Sequence, residues 1–340
     1  MKKLFIKNRD SETRYILPFH AEKRIFKNRF SGFIADNAEI AGCCCNCERK
    51  YCMRYSGDEL YSDFFNSFPH DTSERVCPVE AIEAKGESVV IYTDKCIGCC
   101  LCLYRCPFSG IIYDPHTGKC SVTTNGIRQA ATPAEHNDQI REYKELPVIS
   151  DFIGLTIPFI SDDALRSVSQ YDAEALIIRN YLVNMGIACN SFAKGNQHNR
   201  IEFFARQGDK FLLGESETAN DVLSVSRRIL DDLAVLASRY SVDTDRIVPL
   251  AVLNRMPNKR TDFYEVLEDI QKVVNIRIPV ITFFGLFLLN LFNRKLNLAD
   301  FMQFIVNRNH MSIAPYLTRL IPDLPHRCPS LDSEHLSACK

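Results

Sequence analysis

The chain has 340 residues, 46% of them hydrophobic, and 41 Lys and Arg against 42 Asp and Glu give a net charge of −1. That length suits two or three domains with a sizeable core, and the balanced charge excludes a global electrostatic pull toward nucleic acid. The longest apolar run, Pro279 to Phe292, is too short to cross a bilayer and contains Asn290, so no membrane partner is expected.

Residues 1–36 make a basic arm, with nine Lys or Arg among the first thirty residues, interleaved with Phe5, Tyr15, Phe26 and Phe30. Such an arm can touch phosphates, although a solvated strand pair is the commoner outcome. The opening Met-Lys-Lys-Leu-Phe-Ile-Lys has neither the apolar stretch nor the cleavage site of a signal peptide, so the expectation is a cytoplasmic protein with reduced thiols.

The most specific text follows. Cys96-Ile-Gly-Cys99-Cys-Leu-Cys102-Leu-Tyr-Arg-Cys106-Pro107 has the spacing C-x2-C-x2-C-x3-C-P, which wraps thiolates around a cubane iron-sulfur cluster and sends the fourth cysteine elsewhere. Upstream stand Cys44-x2-Cys47-x4-Cys52 and then Cys77-Pro78. Both Cys-Pro pairs lead into similar text, Cys77-Pro-Val-Glu-Ala-Ile and Cys106-Pro-Phe-Ser-Gly-Ile, which is an internal repeat. Zinc is the alternative ion for thiolates, but it calls for two separated CxxC knuckles, and disulfides call for an oxidising compartment. Cys100, Cys120 and Cys189 read as ordinary small buried residues.

Residues 37–120 resemble a two-cluster bacterial ferredoxin, a small α+β module whose halves exchange their fourth ligands. The resemblance implies two [4Fe-4S] clusters, one held by Cys96, Cys99, Cys102 and Cys77, the other by Cys44, Cys47, Cys52 and Cys106. The second set departs from the family pattern, since Cys52 comes two residues late and 24 residues separate it from Cys77. Cys43 or Cys45 could stand in for Cys44.

Residues 121–160 are polar and read as a linker. From 161 to 325 the text alternates helices and strands, which predicts an α/β domain with a helical C-terminus. Ser161-Asp162 can cap a helix. An amphipathic helix is expected through Ala175, Leu176, Ile178, Leu182 and Val183 to Gly186, then a strand over 187–191. A hairpin follows at 200–206 and 210–217, with a helix over 219–240. Strand 247–253, helix 261–274, strand 278–284 and helices 285–294, 298–308 and 311–320 complete the domain. In the polar tail, 326–340, His326, Cys328, His335 and Cys339 are too irregularly spaced to make a convincing metal site.

The order of helix, strand, hairpin carrying Glu-x-Glu, helix and strand resembles the restriction-endonuclease-like superfamily, PD-(D/E)xK, over about residues 162–292. The resemblance implies Mg²⁺ ligands at Glu202 and Glu215, with Glu217 at the usual lysine position and Glu174 as the acidic residue of the preceding helix. Residues two apart on a strand share a face, so Glu215 and Glu217 can converge with Glu202, and Mg²⁺ bound by carboxylates can activate water for phosphodiester hydrolysis. Glutamate at 202 and at 217 departs from the family pattern. DNA is the partner so implied, with Arg227, Arg228, Arg255, Lys259 and Arg260 available to its backbone. Two alternatives stand beside this reading: a ferredoxin-type protein passing electrons to a partner redox enzyme, with the C-terminal domain as docking platform, and a non-catalytic cluster-bearing regulator. No G-x-G-x-x-G fingerprint is present. Oligomeric state is left open.

Overall fold

The computed structural model describes residues 3–7, 14–18, 50–56, 59–60, 74–86, 88–106, 110–114, 119–122, 173–191, 201–217, 221–291 and 294–321. The expectations for Cys43 to Cys47, for the linker, for the Ser161-Asp162 cap and for the polar tail lie outside these residues. The chain divides into two compact units. The first comprises 1–55, 74–150 and 291–293, and the second 56–73, 151–290 and 294–340.

Short antiparallel hairpins dominate the described part of the first unit. In the basic arm, β1 (Lys3–Lys7) pairs with β2 (Arg14–Pro18). Next come β3 (Ile82–Lys85) with β4 (Ser88–Ile91), and β5 (Ile111–Asp114) with β6 (Lys119–Val122). Ile82 faces Ile91 in one register and Ile111 faces Val122 in the other. Gly86 turns the first hairpin at φ +59°, where a Cβ would strain the backbone. Strands of four residues are marginal alone, so this unit needs more than its ladders to hold it. Between the hairpins lies α1 (Leu101–Arg105), which ends at Cys106, where Pro107 forbids continuation.

The second unit is built on one five-stranded sheet of order β11-β10-β9-β8-β7. β7 (Ala188–Ser191), β8 (Phe203–Gln207) and β9 (Lys210–Glu217) run antiparallel, whereas β10 (Ile247–Leu253) and β11 (Val280–Thr282) are parallel to β9. The parallel connections are the helices α3 (Val222–Tyr240) and α4 (Phe263–Val274). Every residue of β10 is buried, as its unbroken apolar text Ile-Val-Pro-Leu-Ala-Val-Leu requires of a parallel strand covered on both faces.

Several boundaries differ from expectation for identifiable reasons. The helix before the sheet, α2 (Ala173–Asn184), is not amphipathic: Ala175 to Val183 are all buried, Arg179 and Asn180 included. It packs on β7 and β8, and Asn290 donates to its Tyr181 carbonyl at 3.2 Å, so it is covered from more than one side. The strand expected to reach 284 stops at Thr282, whose hydroxyl accepts the Gly285 amide at 3.0 Å and starts α5 (Phe283–Leu291). The helix expected over 298–308 is a 3-10 turn, Leu298–Gln303, opened by a capping box between Asn297 and Asp300. It stops because the Phe304 carbonyl accepts the Val280 amide at 2.9 Å, beside β11. The last helix, α6 (Ala314–Leu320), begins three residues later than expected, with Pro315 in its first turn. Among the described residues no helix is long and apolar enough to cross a membrane.

Candidate metal centre

The loop that carries the central cysteine run is shaped by two left-handed residues. Gly98 sits at φ +70° and Cys100 at φ +60°, directly before α1. Glycine takes that conformation freely, but at Cys100 it costs about 1–2 kcal/mol. These reversals bring the thiols of Cys96, Cys99 and Cys102 together, and Cys77 joins them from the first Cys-Pro segment. Each of the four acts electrostatically on the other three.

Backbone amides point at the sulfurs. The Gly98 and Cys120 amides donate to Cys96 Sγ at 3.4 and 3.3 Å, and the Ala81 amide donates to Cys77 Sγ at 3.2 Å. The Gly110 amide donates to Cys106 Sγ, also at 3.2 Å. Ala81 follows Cys77 by four residues and Gly110 follows Cys106 by four, so the repeat read in the text is a repeat of geometry, each half leading into its own hairpin. Burial and repulsion from Cys77 push the Cys99 thiol well up, and contact with the Cys120 side chain and burial do the same at Cys102. Cys96 is drawn the other way, to about 6, by hydrogen bonds from the Cys120 side chain and from the Cys120 and Gly98 amides. Buried thiols whose ionised forms would repel one another are a site that wants cations, since metal coordination deprotonates a thiol outright. Amide donors aimed at sulfur are what a cluster's ligands receive. The donor set therefore fits a cubane.

The other predicted set is described only in part. Cys52 and Cys106 are both buried. The buried Arg105 donates from Nε to the Tyr51 carbonyl at 2.9 Å and lies over the Tyr55 ring at 4.1 Å, which ties the segment of Cys52 to that of Cys106. Cys44 and Cys47 lie outside the described residues.

Two cysteines read as ordinary core residues take part in this site. Cys120 and Cys100 are buried, and the Cys120 side chain contacts those of Cys96, Cys100 and Cys102. In the repeat, Cys120 on β6 occupies the place of Val89 on β4, a buried apolar position, so text alone assigns it to the core. Its neighbour Lys119, which nothing in the local sequence marks as part of the site, donates from Nζ to the Cys96 carbonyl at 2.5 Å.

In the second unit, Glu202, Glu215 and Glu217 do come together, but around a guanidinium. Arg228 donates from Nε to Glu215 Oε2 at 2.8 Å, from Nη1 to Glu217 Oε2 at 3.5 Å and to Ser224 Oγ at 2.9 Å, and from Nη2 to the Ser216 carbonyl at 2.6 Å. Glu215 Oε1 accepts the Glu202 amide at 3.2 Å, and Glu202 Oε2 accepts the Ser216 amide at 2.7 Å and the Ser216 hydroxyl. The carboxylates expected to ligate Mg²⁺ thus have protein donors, and Arg228, expected to face DNA, turns inward. Burial first, then Glu202 and Asp232, pushes the Glu215 carboxyl up to about 10, with Arg228 opposing. Glu174 is half-buried in the first turn of α2, while Arg227, Arg255, Lys259 and Arg260 are exposed. Among the described residues no group of three or more His, Cys, Asp or Glu side chains is arranged to hold a single metal ion. A cubane demands something different of its cysteines, one thiolate at each iron.

Comparison with known proteins finds relatives that carry iron-sulfur names. Over 61 residues, 18% of this chain, the sequence is 43% identical to an uncharacterized ferredoxin of Methanocaldococcus jannaschii, of which the match covers 36%. Over 122 residues, 33% of this chain, it is 27% identical to the formate dehydrogenase iron-sulfur subunit of Wolinella succinogenes, covering 58% of that protein. The chain thus spans less than two thirds of either relative. No protein-family description matches it.

Proposed function

We propose that this chain is a ferredoxin-type iron-sulfur protein that carries electrons to or from a partner redox enzyme in a reducing, cytoplasmic setting. The observation that carries this reading is the convergence of Cys77, Cys96, Cys99 and Cys102, with amides aimed at their sulfurs. Those four residues would hold one [4Fe-4S] cluster, and Cys44, Cys47, Cys52 and Cys106 a second. Bound there, a cubane supplies one-electron chemistry. Cys96, Cys99 and Cys102 would orient it from one loop, Cys77 would close the set from the other half of the repeat, and the buried Leu101 and Leu103 would exclude water beside it. Similarity to a ferredoxin and to an iron-sulfur subunit of a formate dehydrogenase supports the same reading. The second unit would then be the platform on which the partner docks.

Anaerobic reconstitution with iron and sulfide tests this. The wild-type chain should take up two cubanes and show a low-temperature EPR spectrum of reduced clusters after dithionite, and Cys99→Ser should lose one cluster's contribution. A reconstituted wild type without iron-sulfur absorption or EPR signal sinks the proposal.

One observation favours a second reading for the second unit. Its succession α2, β7, β8, β9, α3, β10, with β10 parallel to β9, supports a restriction-endonuclease-like fold. A Mg²⁺-dependent nuclease acting on DNA would require Arg228 to leave Glu215. Equal DNA cleavage by wild type and Glu215→Ala in Mg²⁺ would remove that reading.

A further inference from the structure

We propose that β6, through Lys119 and the amide of Cys120, sets the reduction potential of the cluster that Cys96 would ligate. This rests on the iron-sulfur reading above and adds to it a residue that neither spacing nor similarity singles out.

Reduction adds a negative charge to a centre that already carries the charge of its thiolates. Any fixed cation or hydrogen-bond donor at a ligand sulfur therefore favours the reduced form and raises the potential, and both devices are known determinants of cluster potentials. Cys96 receives both from β6. The Cys120 amide donates to its Sγ at 3.3 Å, and Lys119 Nζ donates to its carbonyl at 2.5 Å, which holds the ammonium beside the ligand. The contact spans 23 positions of sequence, so the hairpin β5/β6 has to form before the cation is delivered.

The ammonium is only partly exposed, so the solvent screens it less than a surface charge. In the hairpin of β3 and β4, the register position that corresponds to Lys119 is held by Ser88. Lys119 would thus make the cluster beside it easier to reduce. The electron comes from a one-electron donor, a reduced partner or dithionite, which is oxidised as the cluster is reduced.

The test is a redox titration of the reconstituted full chain followed by EPR, the relevant signal being the one that Cys99→Ser removes. Lys119→Met should lower the reduced-to-oxidised ratio of that cluster about tenfold at fixed ambient potential, which is about 59 mV for one electron. Lys119→Arg should restore it, and Lys119→Gln, which keeps a donor but no charge, should stay with Lys119→Met. An unchanged ratio in Lys119→Met with both clusters assembled overturns the proposal. So does failure of both Met and Gln variants to hold a cluster that Arg holds, because Lys119 would then serve assembly. A wild-type chain that takes up no cluster fails the underlying reading instead.

Discussion

At the scale of single residues, Arg228 decides what the three glutamates can do. It is 31% exposed while Glu215 is 1% exposed, so the guanidinium is the cover of a buried carboxyl. Arg228→Ala should destabilise the chain by about 1–3 kcal/mol in urea denaturation, the cost of stranding a buried acceptor. That is less than the ~3–5 kcal/mol of breaking a fully buried ion pair, because Glu215 already holds a proton at neutral pH and no buried charge is stranded. The direction of pH dependence follows. Folded Glu215 holds its proton up to about 10, whereas the unfolded group releases it near 4.5. The folded state binds more protons between those values, so this residue's stabilisation is complete below the lower one and is lost as pH rises toward the upper. Glu215→Gln should flatten the fall of the urea midpoint with rising pH across this window; an unchanged slope would show that Glu215 is ionised throughout. None of this was legible from the strand period. Alternation places Glu215 and Glu217 on one face, but the cation they meet stands on α3, 11 and 13 positions away.

At the scale of elements, the sheet of the second unit depends on one close approach. Phe203 on β8 pairs with Gly214 on β9, and a Cβ built at Gly214 would lie 1.8 Å from the Phe203 ring. Gly214→Val should therefore cost at least the ~1–3 kcal/mol typical of overpacking, read as a lower urea midpoint. The companion Phe203→Ala in the same chain should recover part of that loss, since the ring is what the new side chain meets. Where patterns were strong, elements formed where expected: β9 and β10 match the expected strands residue for residue. Patterns failed where a local hydrogen bond outranked periodicity. The Thr282 hydroxyl ends a strand that apolar text would continue, and α2 loses its polar face because packing covers it.

At the scale of the molecule, the two units differ in what holds them. The second has a sheet covered by helices and a continuous apolar core. In the described part of the first, four-residue strands surround a knot of cysteines, so much of its stability should come from the metal. Stripping the reconstituted protein of iron with a chelator and oxidant should abolish hydrogen-exchange protection at β3 to β6 while β10 stays protected. Equal protection before and after would show that the first unit folds without its clusters.

By itself, the sequence determined the chemistry of the cysteine site, because a cubane is wrapped by one short loop and its spacing is a local property written in consecutive residues. The repeat of the two Cys-Pro segments was legible for the same reason, whereas the amide that each of those sulfurs accepts from four residues on came from the structure. Only the tertiary structure decided that Cys120 and Lys119 belong to that site, and that Arg228 stands where Mg²⁺ was expected. Those residues are brought in by hairpin register and helix packing, and nothing in their local text marks which sulfur or carboxylate they will meet.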